Sequence, residues 1–515
     1  MKRKQLILNI IANFLSVLVS LLVSLFLTPY IVLRIGKEAY SFVPISNNFT
    51  SYLWILSTAF TSMTARFVTI RVHSNDIDAA NDYYSTSFFT NLIIVFISSI
   101  ICLAIILNLN IILNIPENIF SDVQFLFIII FTAFIINVAT NSFSLPAFCM
   151  NRLDISSIIG IISIVARLIV VIVLFAFFAP KVYFIGLSVL VVIVTQGILN
   201  IFVAKRIMPN LIISLKHLKL KIIYELFTAG IWNSFTQLSS ILITGLDLLI
   251  ANIMLGTSAS GILAVAKTAP MALQMLINVV PTAFNPYLTI LYAKEDRVLF
   301  NSELKYTLKF TSIITGIPIA GFIALSSVFF KLWVPSVAST ELTILAILTM
   351  ISMVASFCIM PLFYIFTITN KLKWPAVSIF VTGILNILFV FLIIKKTNFG
   401  LYAIAGVSSI FEVIRCLIFV PMYAAFCLNE RLSFFYDSIY RSLIFMFILI
   451  ITFSIVVFIF PIKTWFLVLI SACLMIILGI LIGFSFLLND KERGKATAIV
   501  KDFIKRQIVN SGSKI

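Results

Sequence analysis

The sequence predicts an all-α integral membrane protein of about fourteen transmembrane helices, built as two six-helix lobes and a C-terminal helix pair. Three observations predict it. Of 515 residues, 62% are apolar and 11% charged, against roughly 25% charged in a soluble domain. Apolar runs long enough to cross a hydrocarbon core of about 30 Å, which takes about 20 residues, recur along the whole chain. The connections between them alternate between rich and poor in Lys and Arg. A water-soluble fold is excluded, and the unit to count is the span.

The runs lie near residues 6–33, 42–68, 84–114, 123–148, 157–178, 183–204, 226–255, 262–292, 306–333, 341–369, 376–394, 400–427, 439–461 and 464–487. The basic start, Met1-Lys2-Arg3-Lys4, looks like a signal peptide. The apolar stretch behind it continues to about Val32 without an A-x-A site, so it is expected to remain as the first span. An even count puts both termini on one side. With that side cytoplasmic, 26 Lys and Arg fall in the tails and inward connections and 7 in the outward ones. That is the bias of the positive-inside rule, and one missed span would scramble it. The net charge of +17 is therefore assigned to topology and to contact with membrane lipids, and nucleic acid is not an expected partner.

The six cysteines (Cys102, Cys149, Cys358, Cys416, Cys427, Cys473) sit in or at the edge of apolar segments without paired spacing. They are expected to be core residues and not a disulfide or metal framework. Neither G-x-x-x-x-G-K-[ST] nor H-E-x-x-H occurs. ATP hydrolysis and zinc chemistry by this chain drop out, no cofactor is expected, and sodium or proton coupling stays open.

The domain plan follows from parity. Residues 1–204 form an N-terminal lobe of spans 1–6, 205–225 a basic amphipathic cytoplasmic connector, 226–429 a C-terminal lobe of spans 7–12, 430–487 the extra spans 13–14, and 488–515 a basic cytoplasmic tail. The connector is expected to lie on the inner leaflet, with a regulatory or lipid-binding helix as the alternative. Six spans return the chain to the same side, which predicts parallel repeats with a substrate path between them. Ile35-Gly36 and Leu255-Gly256 are similar outward turns, each followed by a matching tetrapeptide, Ser57-Thr58-Ala59-Phe60 and Pro281-Thr282-Ala283-Phe284.

The first hairpin reads Leu27-Thr28-Pro29-Tyr30-Ile31-Val32-Leu33-Arg34-Ile35-Gly36-Lys37-Glu38-Ala39-Tyr40-Ser41. It resembles the opening of the Wzx-type polysaccharide flippases, in the polysaccharide transporter family of the multidrug/oligosaccharidyl-lipid/polysaccharide exporter superfamily. Ser41 stands where that family usually has glycine. The resemblance covers the whole-chain plan, including the final helix pair. It implies a bacterial cytoplasmic-membrane flippase, not an enzyme, that moves an undecaprenyl-diphosphate-linked oligosaccharide from the inner to the outer leaflet for capsule or surface-polysaccharide assembly. A polysaccharide polymerase and assembly proteins are the implied partners. The extra pair favours a lipid-linked substrate, because related lipid II flippases use it to border a groove for the lipid tail.

Charges at membrane depth each cost about 2.5–3.5 kcal/mol on insertion scales and must face protein or water. They are Arg66 in span 2, Arg167 in span 5, Asp247 in span 7, Lys267 in span 8, and Glu412 and Arg415 in span 12. The four cations suit a pyrophosphate head group, so Lys267, Arg66, Arg415 and Arg167 are the candidate substrate ligands. Each has a plainer alternative: Lys267 neutralises Asp247, Arg66 snorkels to the interface, Glu412 and Arg415 pair along one helix face, and Arg167 makes an interlobe bond. The resemblance adds a partial sodium site, with Asp247, Asn386 and Glu412 as candidate cation-coupling residues beside Thr382, Ser408 and Ser409. Asn47, Asn48, Asn233, Gln237, Gln274 and Asn278 are expected either to bond sugar hydroxyls along the path or to pack helices.

Two other functions compete. A cation-coupled multidrug antiporter of the same fold expects acidic residues in the first lobe's spans, which contain none. A membrane glycosyltransferase or polymerase expects a large outward loop, and no outward connection exceeds about 15 residues.

Overall fold

The computed structural model describes residues 3–494 apart from 283, 285–287, 290, 293–295, 370 and 491. All regular structure among these residues is helical. Most of the basic tail and Ala283 of the second tetrapeptide lie outside the described residues.

The first helix, α1 (Arg3–His73), has 71 residues and would run far beyond one bilayer, at about 1.5 Å per residue. It is divided at Gly36, whose backbone (φ 80°, ψ 162°) is not helical. This region is open essentially to glycine alone. Next come α2 (Ile77–Leu107), α3 (Phe120–Thr140), α4 (Leu153–Phe177) and α5 (Tyr183–Ile207). A broken span follows, α6 (Leu220–Ser240) and α7 (Asp247–Leu255), and then α8 (Thr257–Thr282). The rest of the chain forms α9 (Arg297–Trp333), α10 (Thr340–Phe357), α11 (Met360–Ile368), α12 (Lys373–Lys396), α13 (Leu401–Ile414), α14 (Val420–Cys427), α15 (Tyr436–Ile459) and α16 (Trp465–Phe486).

Eleven of these helical stretches are long and apolar enough to cross a membrane, and the bent pairs α6–α7 and α10–α11 bring the number to thirteen. Dividing α1 at Gly36 supplies the fourteenth. The spans agree with those expected from hydropathy, and the bends of 40° and 47° fall inside apolar runs where hydropathy carries no signal.

Gly256, between α7 and α8, has nearly the same conformation as Gly36 (φ 91°, ψ 176°). Nothing lies within 4 Å of where a Cβ would sit at either glycine, so backbone geometry and not crowding requires the residue. Five residues after Gly256, a Cβ on Gly261 would fall 2.6 Å from the Lys37 carbonyl oxygen. Five residues after Gly36 stands Ser41, fully buried, its hydroxyl donating to Glu38 O at 2.7 Å. Serine is tolerated there because its own turn satisfies the hydroxyl.

The helices gather into two compact units, one of Met1–Ala272, Ser336–Ala338 and Ala376–Ser408, the other of Leu273–Pro335, Ser339–Pro375 and Ser409–Ile515. In the first, α1 packs on α2, α4 and α6, and α5 lies against α3 and α4. Close approach requires Gly230 on α6, where a Cβ would run into the Ala59 carbonyl. In the second, α9 is the axis, contacting α10, α15 and α16.

The connector is not an amphipathic helix. Between α5 and α6, only Leu215–His217 form a 3-10 turn, and the rest of that stretch is irregular. Side chains of α2 tie it down: Asn81 accepts from Ile212 N at 2.9 Å, Ser85 accepts from Ser214 N at 3.1 Å, and Thr86 accepts from Lys219 N at 3.1 Å. Asp82 holds both His217, at 2.7 Å, and Lys219, at 2.5 Å. The helical alternative is not adopted, because α2 presents a row of acceptors that satisfy an extended backbone.

Gly36→Val and Gly256→Val are expected to destabilise the protein by about 1–3 kcal/mol each. Gly406→Ala, in helical backbone with nothing within 4 Å of the new Cβ, is the control. Thermal unfolding in detergent should show lowered midpoints for the first two and an unchanged or raised one for the third.

Candidate transport site

The break between α6 and α7 builds the site. After Ser240 the chain makes a π-helical turn, Ile241–Gly245, and restarts as an α-helix at Asp247. A π turn takes carbonyls out of the i→i−4 ladder, and inside a membrane each needs another donor. Asn386 of α12 donates its Nδ2 to Ile243 O at 2.9 Å. From α1, Asn48 Nδ2 and Tyr52 Oη both donate to Gly245 O, at 3.1 and 2.6 Å. Asn48 and Tyr52 are four apart and share a helix face.

The restart places Asp247 in the first turn of α7, where the helix dipole favours a carboxylate. Asp247 is 2% exposed and Lys267 of α8 is 5% exposed. Lys267 Nζ donates to Asp247 Oδ2 in a buried ion pair. Tyr52 lies within electrostatic reach of Asp247. Of the two expectations for Lys267, the structure realises the pair with Asp247.

Glu412 and Arg415 realise the other expected pair. Arg415 donates from Nε to Glu412 Oε2 at 3.0 Å and from Nη2 to Oε1 at 2.5 Å. Arg415 also opens a second π turn, Arg415–Phe419. Its cause is readable: Pro421 has no N–H, so Leu417 O lacks a helical donor, and Tyr436 Oη of α15 supplies one at 3.0 Å. Arg415 Nη1 is buried without a partner, as is Asn386 Oδ1.

Among the described residues, Arg66 and Arg167 have no carboxylate partner. Arg66 is exposed near the C-terminal end of α1. Arg167, in the middle of α4, is half-buried, with its Nε closed off from any acceptor. Its electrostatic neighbour is Tyr40, whose hydroxyl lies 3.5 Å from that of Thr268, next to Lys267 in sequence. Ser408 bonds back to Ile404 O and Ser409 reaches Leu348 O. Both carboxylates of the expected cation site are thus engaged by protein cations, and no cluster of three metal-ligating side chains occurs among the described residues.

Sequence reasoning missed two features. The π turns left no mark except Pro421 and Gly245. Lys309, 6% exposed, bonds both carboxylate oxygens of Glu492 at 2.9 and 3.0 Å. It escaped notice because α9 begins at Arg297, nine residues before the apolar run near 306.

The geometry has counterparts among known proteins. The fold matches an inward-facing multidrug resistance MATE family transporter of the MOP superfamily (TM-score 0.62, 11% identity, 80% of this chain and 96% of that one). It also matches the lipid II flippase MurJ in an inward closed conformation (TM-score 0.59, 17% identity, 97% of this chain and all of that one). The chain shares its fold with these two proteins. No protein-family model matches the sequence. It is 30% identical over 400 residues to the uncharacterized membrane protein EpsK of Bacillus subtilis (strain 168), across 78% of this chain and 79% of that protein. The chain belongs to the EpsK family of membrane proteins.

Removing one partner of a buried pair strands the other charge, at about 3–5 kcal/mol, whereas replacing both with apolar residues is often neutral. Lys267→Met should therefore lower the thermal midpoint strongly, and Asp247→Leu/Lys267→Met should recover most of the loss. A double variant no more stable than the single one would contradict the pair as drawn.

Proposed function

We propose that this protein is a flippase that carries an undecaprenyl-diphosphate-linked oligosaccharide from the inner to the outer leaflet of the cytoplasmic membrane, with both termini cytoplasmic, for capsule or other surface-polysaccharide assembly. It works by alternating access.

The observation that carries this reading is an apolar groove in the second unit. It encloses about 1040 Å³ between α9 and α16, lined by residues such as Phe310, Ile317, Phe322, Met475 and Phe484. No charged side chain borders it, so it suits a hydrocarbon chain and not a hydrated solute. Its wall depends on the Gly479-x-x-x-Gly483 stripe of α16, a small-residue pattern that brings membrane helices close. A Cβ on Gly479 would meet Ile317 at 2.6 Å, and one on Gly483 would meet Ile313 at 2.9 Å. The MurJ likeness, which extends over 97% of this chain, supports a lipid-linked substrate over a small drug.

The diphosphate requires cations. Arg66 and Arg167 are the ones not neutralised by carboxylates, which makes them the leading head-group ligands. Lys267 and Arg415 contribute only by exchanging carboxylate for phosphate. Coupling to sodium or protons through Asp247, Asn386 and Glu412 is the corresponding proposal for the energy source, since it too requires an ion pair to open. A polysaccharide polymerase acting on the delivered units is the expected partner.

The test is transfer of a fluorescent undecaprenyl-diphosphate-linked oligosaccharide across vesicles containing the purified protein, read by a membrane-impermeant quencher. Wild type should transfer it. Arg66→Gln and Arg167→Gln should each slow transfer about tenfold or more, as loss of a charge-assisted bond worth about 1.5–3 kcal/mol implies. Gly483→Leu should slow it by forcing α16 away from α9 and disturbing the groove, and Gly406→Ala should leave it unchanged. Absence of transfer by the wild type, with cationic dyes exported instead, would sink the reading.

A further inference from the structure

The first unit contains a neutral polar track that the cationic ligands leave unexplained. Its main chamber, of about 260 Å³, lies between the second half of α1, α3 and α5. Asn47, Thr50, Ser51 and Trp54 line it from α1 and Asn137 from α3, with apolar neighbours such as Ala133 and Ile193. Counting about 1.5 Å per residue from the helix starts at Lys37, Phe120 and Tyr183, the chamber extends from about 9 Å (Val189) to about 26 Å (Trp54, Asn137) along the spans. It is inside the membrane, where polar surface requires a reason.

A second chamber, of about 190 Å³, lies further along α1, lined by Thr61 and Thr64 of α1, Ser87 and Asn91 of α2, and Ser142 just beyond α3. Asn91 is fully buried. Its Nδ2 donates to Ser142 Oγ at 3.3 Å, but its Oδ1 has no donor. A buried amide with half its capacity unused stands ready for a ligand.

The chemistry of the lining is selective. No residue of either chamber is charged, so neither a diphosphate nor a cationic drug finds a counter-charge. The hydroxyls of Thr50 and Ser51 donate back to Asn47 O, at 2.7 and 3.1 Å, and keep their lone pairs as acceptors. The side-chain amides of Asn47 and Asn137 make no hydrogen bond among the described residues, although pairing is what polar side chains used only for helix packing would show. Phe134 meets the Trp54 indole edge-on, with centroids 6.0 Å apart and planes at 71°, which fixes the ring. Amides that both donate and accept, acceptor hydroxyls and one immobilised aromatic ring are what a sugar ring needs: paired hydroxyls at its edge and an apolar C–H face.

We infer that this track is the saccharide subsite, taking the neutral glycan of the carried unit with Trp54 stacking on a sugar ring and Asn47, Asn137 and Asn91 bonding its hydroxyls. The inference rests on the flippase reading for its substrate, but its residues are separate from the charged groups of that reading.

The experiment uses the full chain in lipid nanodiscs and three probes: undecaprenyl diphosphate bearing an oligosaccharide, undecaprenyl diphosphate without sugar, and the free oligosaccharide detected by saturation-transfer NMR. Wild type should bind the glycosylated lipid about tenfold tighter than the bare one, the scale of one or two good hydrogen bonds. Trp54→Ala and Asn137→Leu should erase that preference while leaving bare-lipid binding unchanged, and Trp54→Phe should keep most of it. The free oligosaccharide should give a signal with wild type and Trp54→Phe and none with Trp54→Ala. Melting midpoints show that each variant is folded, and Trp54→Phe and Asn137→Leu carry the test if Trp54→Ala is not. No preference in the wild type, or one that survives both Trp54→Ala and Asn137→Leu, overturns the subsite. If lipids fail to bind but the free sugar still binds in a Trp54-dependent way, the flippase reading falls and the subsite stands. If glycosylated lipid is flipped without regard to Trp54 or Asn137, the subsite falls and the flippase reading stands.

Discussion

A helix that breaks inside a membrane must find donors for the carbonyls it frees, because the bilayer offers none. Much of the first unit's internal geometry follows from that demand. The π turn at Ile241–Gly245 frees two carbonyls, and three side chains from α1 and α12 converge on them. Those bonds place α7, and the start of α7 places Asp247 beside Lys267. The ion pair is thus a consequence of backbone accounting one turn earlier. The second unit repeats the logic at Leu417, where proline removes the donor and Tyr436 replaces it.

The sequence made the spans legible because hydropathy acts over 20 residues at a time, and single errors average out. It made the intramembrane charges legible because each is costly enough to be rare. Which charge meets which was legible only where helix geometry fixes it, as for Glu412 and Arg415 three apart. The Asp247–Lys267 pair was one of two open alternatives, since it depends on how α7 leaves a π turn. That turn is a hydrogen-bond shift of one residue, invisible to composition and periodicity. The track through Trp54, Asn91 and Asn137 was legible only at Asn47, because Asn, Thr and Ser in spans serve helix packing and ligand binding equally well.

For the connector, the helical alternative is the one the structure does not adopt. Its apolar and basic residues alternate as an interfacial helix would, yet Asn81, Asp82, Ser85 and Thr86 of α2 bind it in an irregular path. A periodic pattern states what a segment can do alone, and here a neighbouring helix offers its backbone better partners. Gly36 and Gly256 are the reverse case. Gly36 and Gly256 looked like weak, short matches, but both occupy the same glycine-only backbone region. Conformation supports the idea of a repeated hairpin more strongly than the surrounding residues do.

The surroundings of the candidate regions differ in kind, and the difference limits what each can hold. The groove beside α16 has no polar function to offer. The track along α1 and α3 has hydroxyls and amides but no charge. The buried ion pairs leave no net charge at their sites, so of the four candidate cations Arg66 and Arg167 are the two without a carboxylate partner among the described residues. The proposed substrate has a part of each kind: a long hydrocarbon, an anionic link and a neutral polyol. A cationic drug would need an uncompensated acid, and Asp247 and Glu412 are both already neutralised. On the proposed reading, the pairing of those two acids favours a glycolipid over a cationic drug as the substrate.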